Sequence, residues 1–365
     1  MSSLIIAGDT SGTITLQAPA AAGSNVLSLP AETGTVLTSV SPAVALPGSL
    51  SVAGLITGST NYTGFKNRFI NGRMRFAQRA TSATVTAATT VPTISTGYPC
   101  VDRWFVYCTG ANVTAAQIAG AGAIQNLLQV TGAASVTAIG IGQRIESNNV
   151  YDLAGSTCTL SVDLANSLLT TVTWTASYAT TTADTFGTIG TPTKTQIATG
   201  TFTVSASLTN YQTSFIVPAA AITGVEILFT VGAQTSGTWT MGRAQFEKGA
   251  VKTDYDFRDY GRELQMCQRY FEVIGGTTLG SIYAEIQVPT GGVAIPLCFN
   301  FKQTKRAIPF MGVIGAFTTV NTTGSINLTQ VDTQTLCAYY APAAAGRGVW
   351  YNNTSSGITA SAEIP

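Results

Sequence analysis

Residues 157–164 read Thr-Cys-Thr-Leu-Ser-Val-Asp-Leu. Cys158, Leu160, Val162 and Leu164 alternate with Thr157, Thr159, Ser161 and Asp163. A period of two puts the apolar set on one face of a β-strand. The pattern recurs at 171–178, with Val172, Trp174, Ala176 and Tyr178, and at 201–208, with Phe202, Val204, Ala206 and Leu208. Runs at 101–107, 211–217, 225–231 and 239–246 add further strands. About eight short strands with turns between them predict a β-sandwich or jelly roll over 67–257.

Downstream, Leu264, Cys267, Phe271 and Ile274 repeat at helical spacing, Glu263 sits in the first turn and Gly275-Gly276 follows. This predicts a helix near 260–274, within a linking segment 258–276. Alternation then resumes at 281–288, where Ile282, Ala284, Ile286 and Val288 share a face. Short runs at 293–299, 310–317, 325–331, 336–340 and 348–351 complete a small C-terminal β-sandwich over 277–365. Upstream, residues 1–40 carry Ile14, Leu16, Val26, Leu27, Leu29, Val36 and Leu37 on strand-like runs. So small a core is not expected to fold alone, so this segment is flexible or is completed by other chains. Residues 41–66, rich in Gly, Pro, Ser and Ala, read as a linker.

Composition agrees. Of 365 residues, 58 are Thr and 37 are Gly, so strand and turn formers dominate and the fold class is all-β. Charged residues are only 10%, and 18 basic against 17 acidic residues leave a net charge of +1, which argues against nucleic-acid binding. There is no histidine, which removes Ser-His-Asp and Cys-His catalysis and the commonest transition-metal ligand. No 18-residue apolar window and no basic n-region occur, so neither membrane insertion nor secretion is expected; the chain should fold in a bacterial cytoplasm. Cys100, Cys108, Cys158, Cys267, Cys298 and Cys337 show no C-x-x-C and are expected to be reduced and mostly buried. No cofactor is expected. Asp152 or Asp254 could contribute to a calcium site, but no D-x-D-x-D-G loop exists, so no metal is assigned.

Three stretches resemble phage tail-fibre proteins. They are 11–19 (Ser-Gly-Thr-Ile-Thr-Leu-Gln-Ala-Pro) with 27–36; 67–79 (Asn-Arg-Phe-Ile-Asn-Gly-Arg-Met-Arg-Phe-Ala-Gln-Arg) with 98–104; and 244–250 with 253–258 and 263–271. In that family the latter two frame a jelly roll resembling carbohydrate-binding modules. The resemblance implies a homotrimer in the virion tail. Residues 1–40 would attach to tail or baseplate proteins, and the C-terminal domain would meet a host-surface glycan or protein. A head-fibre, decoration or adaptor role is the alternative. A polysaccharide depolymerase is the remote one: Asp254/Asp256 could stand at the spacing glycosidases need, but Lys252, Arg258 and Arg262 favour ion pairing. The chain is therefore expected not to be an enzyme.

The charge map singles out two groups. Five basic residues fall in 66–79 and twelve of the 35 charges in 243–272. Arg73, Arg75 or Arg79 is expected to meet Glu247, Asp254 or Asp256 at a module junction or subunit interface, with Arg258 in the same network. In the C-terminal domain, Tyr339-Tyr340 and Trp350-Tyr351 are adjacent aromatic pairs, and each should expose one ring. With Arg347, Asn352 and Asn353 they form the candidate receptor patch, competing with burial in a trimer interface. Similarly, Trp104 and Phe105 point opposite ways, so one is expected to leave the core.

Overall fold

The structure is a computed structural model. It describes residues 3–7, 13–17, 65–93, 96–122, 124–276, 279–289, 294–329 and 331–365. The chain divides into two compact units, 1–58 and 59–365. In the first, β1 (Ser3–Ala7) pairs antiparallel with β2 (Thr13–Gln17). The expected apolar positions 26–37 and nearly all of the expected linker lie outside the described residues.

The second unit begins with a jelly-roll-like sandwich. Among the described residues its strands are β3 (Ser82–Val85), β4 (Phe105–Thr109), β5 (Val113–Ala119), β6 (Asn126–Thr131), β7 (Ala138–Ile145), β8 (Thr157–Asn166), β9 (Thr171–Ala179), β10 (Lys194–Thr203), β11 (Thr209–Ile216), β12 (Val225–Val231) and β13 (Thr238–Lys248). One sheet runs β10-β9-β12-β7-β4 and the other β11-β8-β13-β6-β5-β3, all antiparallel. In each, the latest strand in sequence lies inside the sheet: β12 between β9 and β7, β13 between β8 and β6. The alternation read at 157–164 and 171–178 is realised. Cys158, Leu160, Val162, Leu164, Val172, Trp174 and Ala176 all enter the shared core, with Trp104 and Trp239 fully buried. At 201–208 it is cut short: β10 ends at Thr203, and Ala206 is exposed in the turn before β11.

Phe105 departs from expectation. Both it and Trp104 are buried. Phe105 packs in a second cluster with Val91, Tyr98 and Tyr107. Its ring and that of Tyr107 lie over Gly142 and Gly140 of β7, where a Cβ would stand 2.4 and 2.0 Å from ring carbons. Residues at Val91, Tyr98 and Ile189 cover a sheet face that periodicity alone reads as solvent-facing.

The helix is also shorter than expected. α1 spans Tyr260–Gln268, capped by the Asp259 carboxylate, which accepts from Arg262 N. Residues Phe271–Gly276 are not its last turns but strand β14. Phe271 and Ile274 are apolar because they pair with Ser361 and Ile358, and β-branched Val273-Ile274 favours that state.

The remaining strands are β15 (Tyr283–Val288), β16 (Ile295–Asn300), β17 (Phe310–Ile314), β18 (Phe317–Val320), β19 (Thr322–Thr329), β20 (Thr335–Pro342), β21 (Gly346–Asn352) and β22 (Ser356–Ser361). They form three small sheets, β14-β22-β17, β15-β21-β18 and β16-β20-β19. The chain thus travels one path three times. The passages β14–β16 and β17–β19 run in one sense, and β20–β22 returns between them. Inside lie Ile282, Ala284, Ile295, Leu336, Ala338, Tyr340, Trp350 and Ile358. Ile286, expected on the inner face, is 37% exposed. Cys298 and Cys337, directly opposed on β16 and β20, form a disulfide, which corrects the expectation of six reduced cysteines. The other four are buried thiols. Burial pushes Cys100 up to about 11 and Cys158 up to about 12, so they stay protonated and unreactive.

Candidate functional site

The C-terminal candidates separate by strand phase. On β15 and β21, Tyr283 stands opposite Tyr351, their rings stacked with centroids 6.0 Å apart. Two residues along β15, Glu285 stands opposite Val349 and diagonal to Arg347, which is opposite Gln287. The Arg347 guanidinium donates to both Glu285 oxygens, Nε at 2.6 Å and Nη2 at 3.1 Å. The Tyr283 hydroxyl also donates to Glu285. Bonding to Arg347 and then to Tyr283 holds the Glu285 carboxyl down at about 2, and the bond to that carboxylate pushes the Tyr283 phenol up. The pair is charged at any working pH. Tyr283 is 46% exposed and the Arg347 side chain 61%. The result is a ring pair beside a fixed bidentate ion pair, on the outside of a sheet whose other side is core.

Of the seven predicted tip residues, Arg347 and Tyr351 join this platform. Trp350 and Tyr340 do not: both are buried, 5.7 Å apart, and Trp350 Nε1 donates to Ile295 O at 2.9 Å. Asn352 is fully buried, its Oδ1 accepting from Ile282 N at 2.7 Å, so it is a structural amide. Asn353 ties a turn, donating to Ala316 O and accepting from Thr318 Oγ1, each at 2.7 Å. Tyr339 is half-buried on another sheet, opposite Pro296. Each adjacent pair does put one ring inward. Sequence reading missed Tyr283 and Glu285, although their phase, opposite to Ile282 and Ala284, marks them as outward-facing.

Four of the second predicted group, Arg73, Arg75, Asp256 and Arg258, line one small pocket with Glu263, and Arg258 Nε lies 3.9 Å from Asp256. Arg73 and Arg75 lie over the exposed rings of Phe257 and Tyr260, at 4.3 and 4.5 Å. Glu247 accepts from Thr253 N and Oγ1, at 2.9 and 2.6 Å. Asp256 accepts from Lys66 N and Asn67 N, at 2.9 and 3.1 Å. Arg258 pairs with Glu263 at 3.2 Å and donates to Phe69 O at 2.9 Å. Asp254 is exposed beside a cleft. Arg79 finds its carboxylates elsewhere, in Glu363 at 3.1 Å and Asp102 at 3.9 Å.

Those partners open onto a junction that sequence reading did not anticipate. After β22, residues 362–364 return to the sandwich and are buried. Glu363 forms an ion pair with Arg103, both almost wholly buried. Ile364 O accepts from the Tyr98 hydroxyl at 2.9 Å and from Arg144 Nη1 at 3.2 Å. Arg144 in turn pairs with Glu226 at 2.7 Å. Arg269 and the Tyr270 hydroxyl hold Glu146, and Lys305 holds Glu272 at 2.7 Å.

Burial raises Asp102 from 3.8 to about 6, against the lowering pull of Arg79 and of the Gln78 hydrogen bonds. Between those values the folded chain keeps a proton that the unfolded chain has released. Asp102 therefore contributes stability in acid that is lost as pH rises through about 6. Asp102→Asn should gain on wild type by about 2–3 kcal/mol between roughly pH 4 and neutrality. Denaturant titrations at both pH values check this; a difference independent of pH would refute it.

Among the described residues, no cluster of three or more His, Cys, Asp or Glu side chains could hold a metal. Likewise, no described helix is long and apolar enough to cross a membrane. No family model matches the sequence, and no curated protein matches it. Solved structures show partial likeness. A CBM4 structure is 14% identical over 49% of this chain and 98% of that chain, with a TM-score of 0.32. The enzymatically active domain of tailspike protein 4 from bacteriophage CBA120 is 16% identical over 50% of this chain and 21% of that one, TM-score 0.31. TmCBM61, in complex with β-1,4-galactotriose, is 9% identical over 45% of this chain and 100% of its own, TM-score 0.29.

Proposed function

We propose that this chain is a non-catalytic adhesion protein, a phage tail fibre whose C-terminal β unit binds a host-surface glycan. The carrying observation is the exposed Tyr283 ring stacked on the half-buried Tyr351 ring, with the Glu285–Arg347 ion pair beside them. A pyranose face of C–H bonds packs on a flat aromatic ring, while a carboxylate and a guanidinium fixed against each other read ring hydroxyls. Since Arg347 and Tyr283 hold the Glu285 carboxylate in place, little side-chain freedom is lost on binding. Single contacts of this size are weak. In the homotrimer that the tail-fibre resemblance implies, with residues 1–40 on the tail, three platforms would engage together and turn weak contacts into firm attachment.

Tyr283→Ala and Tyr351→Ala test this in the full-length protein. Each should weaken adsorption to host cells about tenfold or more, as loss of an aromatic hot spot does, while leaving the thermal midpoint unchanged. Adsorption unaffected by both would refute the platform. Binding to virions without binding to cells would indicate an adaptor instead.

A further inference from the structure

On the sandwich's six-stranded sheet, β13 carries a bulge. Gly242 opposes Asp163 and Gln245 opposes Ser161, so Arg243 and Ala244 together face Val162. The extra residue turns the main chain of Ala244 away from β8: its N–H donates to Gly72 O and its carbonyl accepts from Asn67 Nδ2, both at 2.9 Å. That accounts for the bulge but not for arginine in it. Arg243 sits at φ +35°, in the region where glycine is relaxed and a residue with a Cβ is strained.

The side chain shows what the strain supports. Arg243 Nε donates to Asp163 at 2.5 Å, and Asn210 Nδ2 donates to the other Asp163 oxygen at 2.8 Å. The Asp163 side chain is 1% exposed while that of Arg243 is 39% exposed. A buried carboxylate thus anchors a guanidinium whose far edge faces outward. It faces a cleft of about 150 Å³ lined by Ser161, Asn210, Arg243, Lys252, Asp254 and Tyr255.

We propose that this cleft is a saccharide subsite separate from the tyrosine platform, taking one neutral monosaccharide unit. Every lining side chain carries a donor or an acceptor, and the set mixes both kinds, as vicinal hydroxyls require. Arg243 is paired with Asp163, and Lys252 and Asp254 bring one charge of each sign to the lining, so the cleft favours neither an anion nor a cation. Its volume would hold about five waters, roughly what one pyranose ring with its hydroxyls displaces. Bulges commonly re-aim a side chain beside a binding site, and the strained arginine fits that use. The subsite does not depend on the adhesion reading, since it lies on other strands.

The test uses full-length protein and the methyl glycosides of glucose, galactose, mannose and xylose, read by saturation-transfer NMR. At least one should receive transfer at millimolar concentration. Lys252→Ala and Asp254→Asn, both exposed positions, should each weaken it about tenfold with an unchanged thermal midpoint, whereas Tyr351→Ala should not. No transfer to any of the four, or transfer that survives both cleft variants, would overturn the subsite. Transfer lost only in Tyr351→Ala would assign the sugar to the platform, refuting the cleft and supporting the adhesion reading.

Discussion

Glu363→Ala should lower the unfolding free energy by about 3–5 kcal/mol, the usual cost of breaking a buried ion pair from one side. Glu363 receives Arg103 and Arg79, and Arg103 has nowhere to turn. Its guanidinium is 1% exposed, donates to Arg144 O at 2.6 Å and lies 3.6 Å over the Tyr270 ring. Without the carboxylate a desolvated cation remains between the sandwich and the C-terminal β unit. Glu363→Gln keeps the shape but not the charge and should recover only a minor part. Arg103→Met in the Glu363→Ala background should restore much of the loss, because an unpaired charge costs more than an apolar substitute. Denaturant midpoints of the single and double variants measure this. A midpoint for Glu363→Ala equal to wild type would show that the junction contributes nothing to the fold.

Trp350→Ala should cost a similar amount, about 3–5 kcal/mol, for a different reason. Trp350 is fully buried at the centre of the C-terminal core, with Phe317 and Tyr340 rings 5.8 and 5.7 Å away and its indole N–H committed to Ile295 O. Removal leaves a cavity and an unpaired carbonyl. The neighbouring Tyr351→Ala should do the reverse, sparing stability and losing adsorption. Measured together, the adjacent substitutions separate core from contact surface. Unchanged unfolding of Trp350→Ala would refute the packing described here.

The contrast between Trp350 and Tyr351 also shows what the sequence makes legible. Period-two alternation is a local property, so β8, β9 and the one-in, one-out rule for aromatic neighbours are readable from residues 157–178 and 350–351. Which face is the covered one is not local. Phe105 is buried because residues distant in sequence close over it, and Tyr283 meets Tyr351 through a register that separates them by most of the C-terminal unit. The helix was overextended because Phe271 and Ile274 fit its period while answering to β22. Charge is legible only in part: Arg73 and Arg75 line one pocket with Asp256 and Arg258. The run at 66–79 looks for acids in 243–272, yet Arg79 is satisfied by Glu363, in a tail with no periodic signal. The Cys298–Cys337 bond likewise depends on a pairing that spacing does not announce.

The strand order of the second unit sets a timetable for synthesis on the ribosome. Among the described residues, in all five of its sheets the strand emerging last is an interior one: β12, β13, β20, β21 and β22. Until each arrives, its future neighbours present bare hydrogen-bonding edges across an empty lane, the arrangement most open to pairing with another nascent chain. Such topology has high contact order and closes slowly. The C-terminal unit is the extreme case, since two full passages must wait for the third. Nascent chains of neighbouring ribosomes would then be side by side while their edges are open, which favours assembly between copies and, when it goes wrong, aggregation.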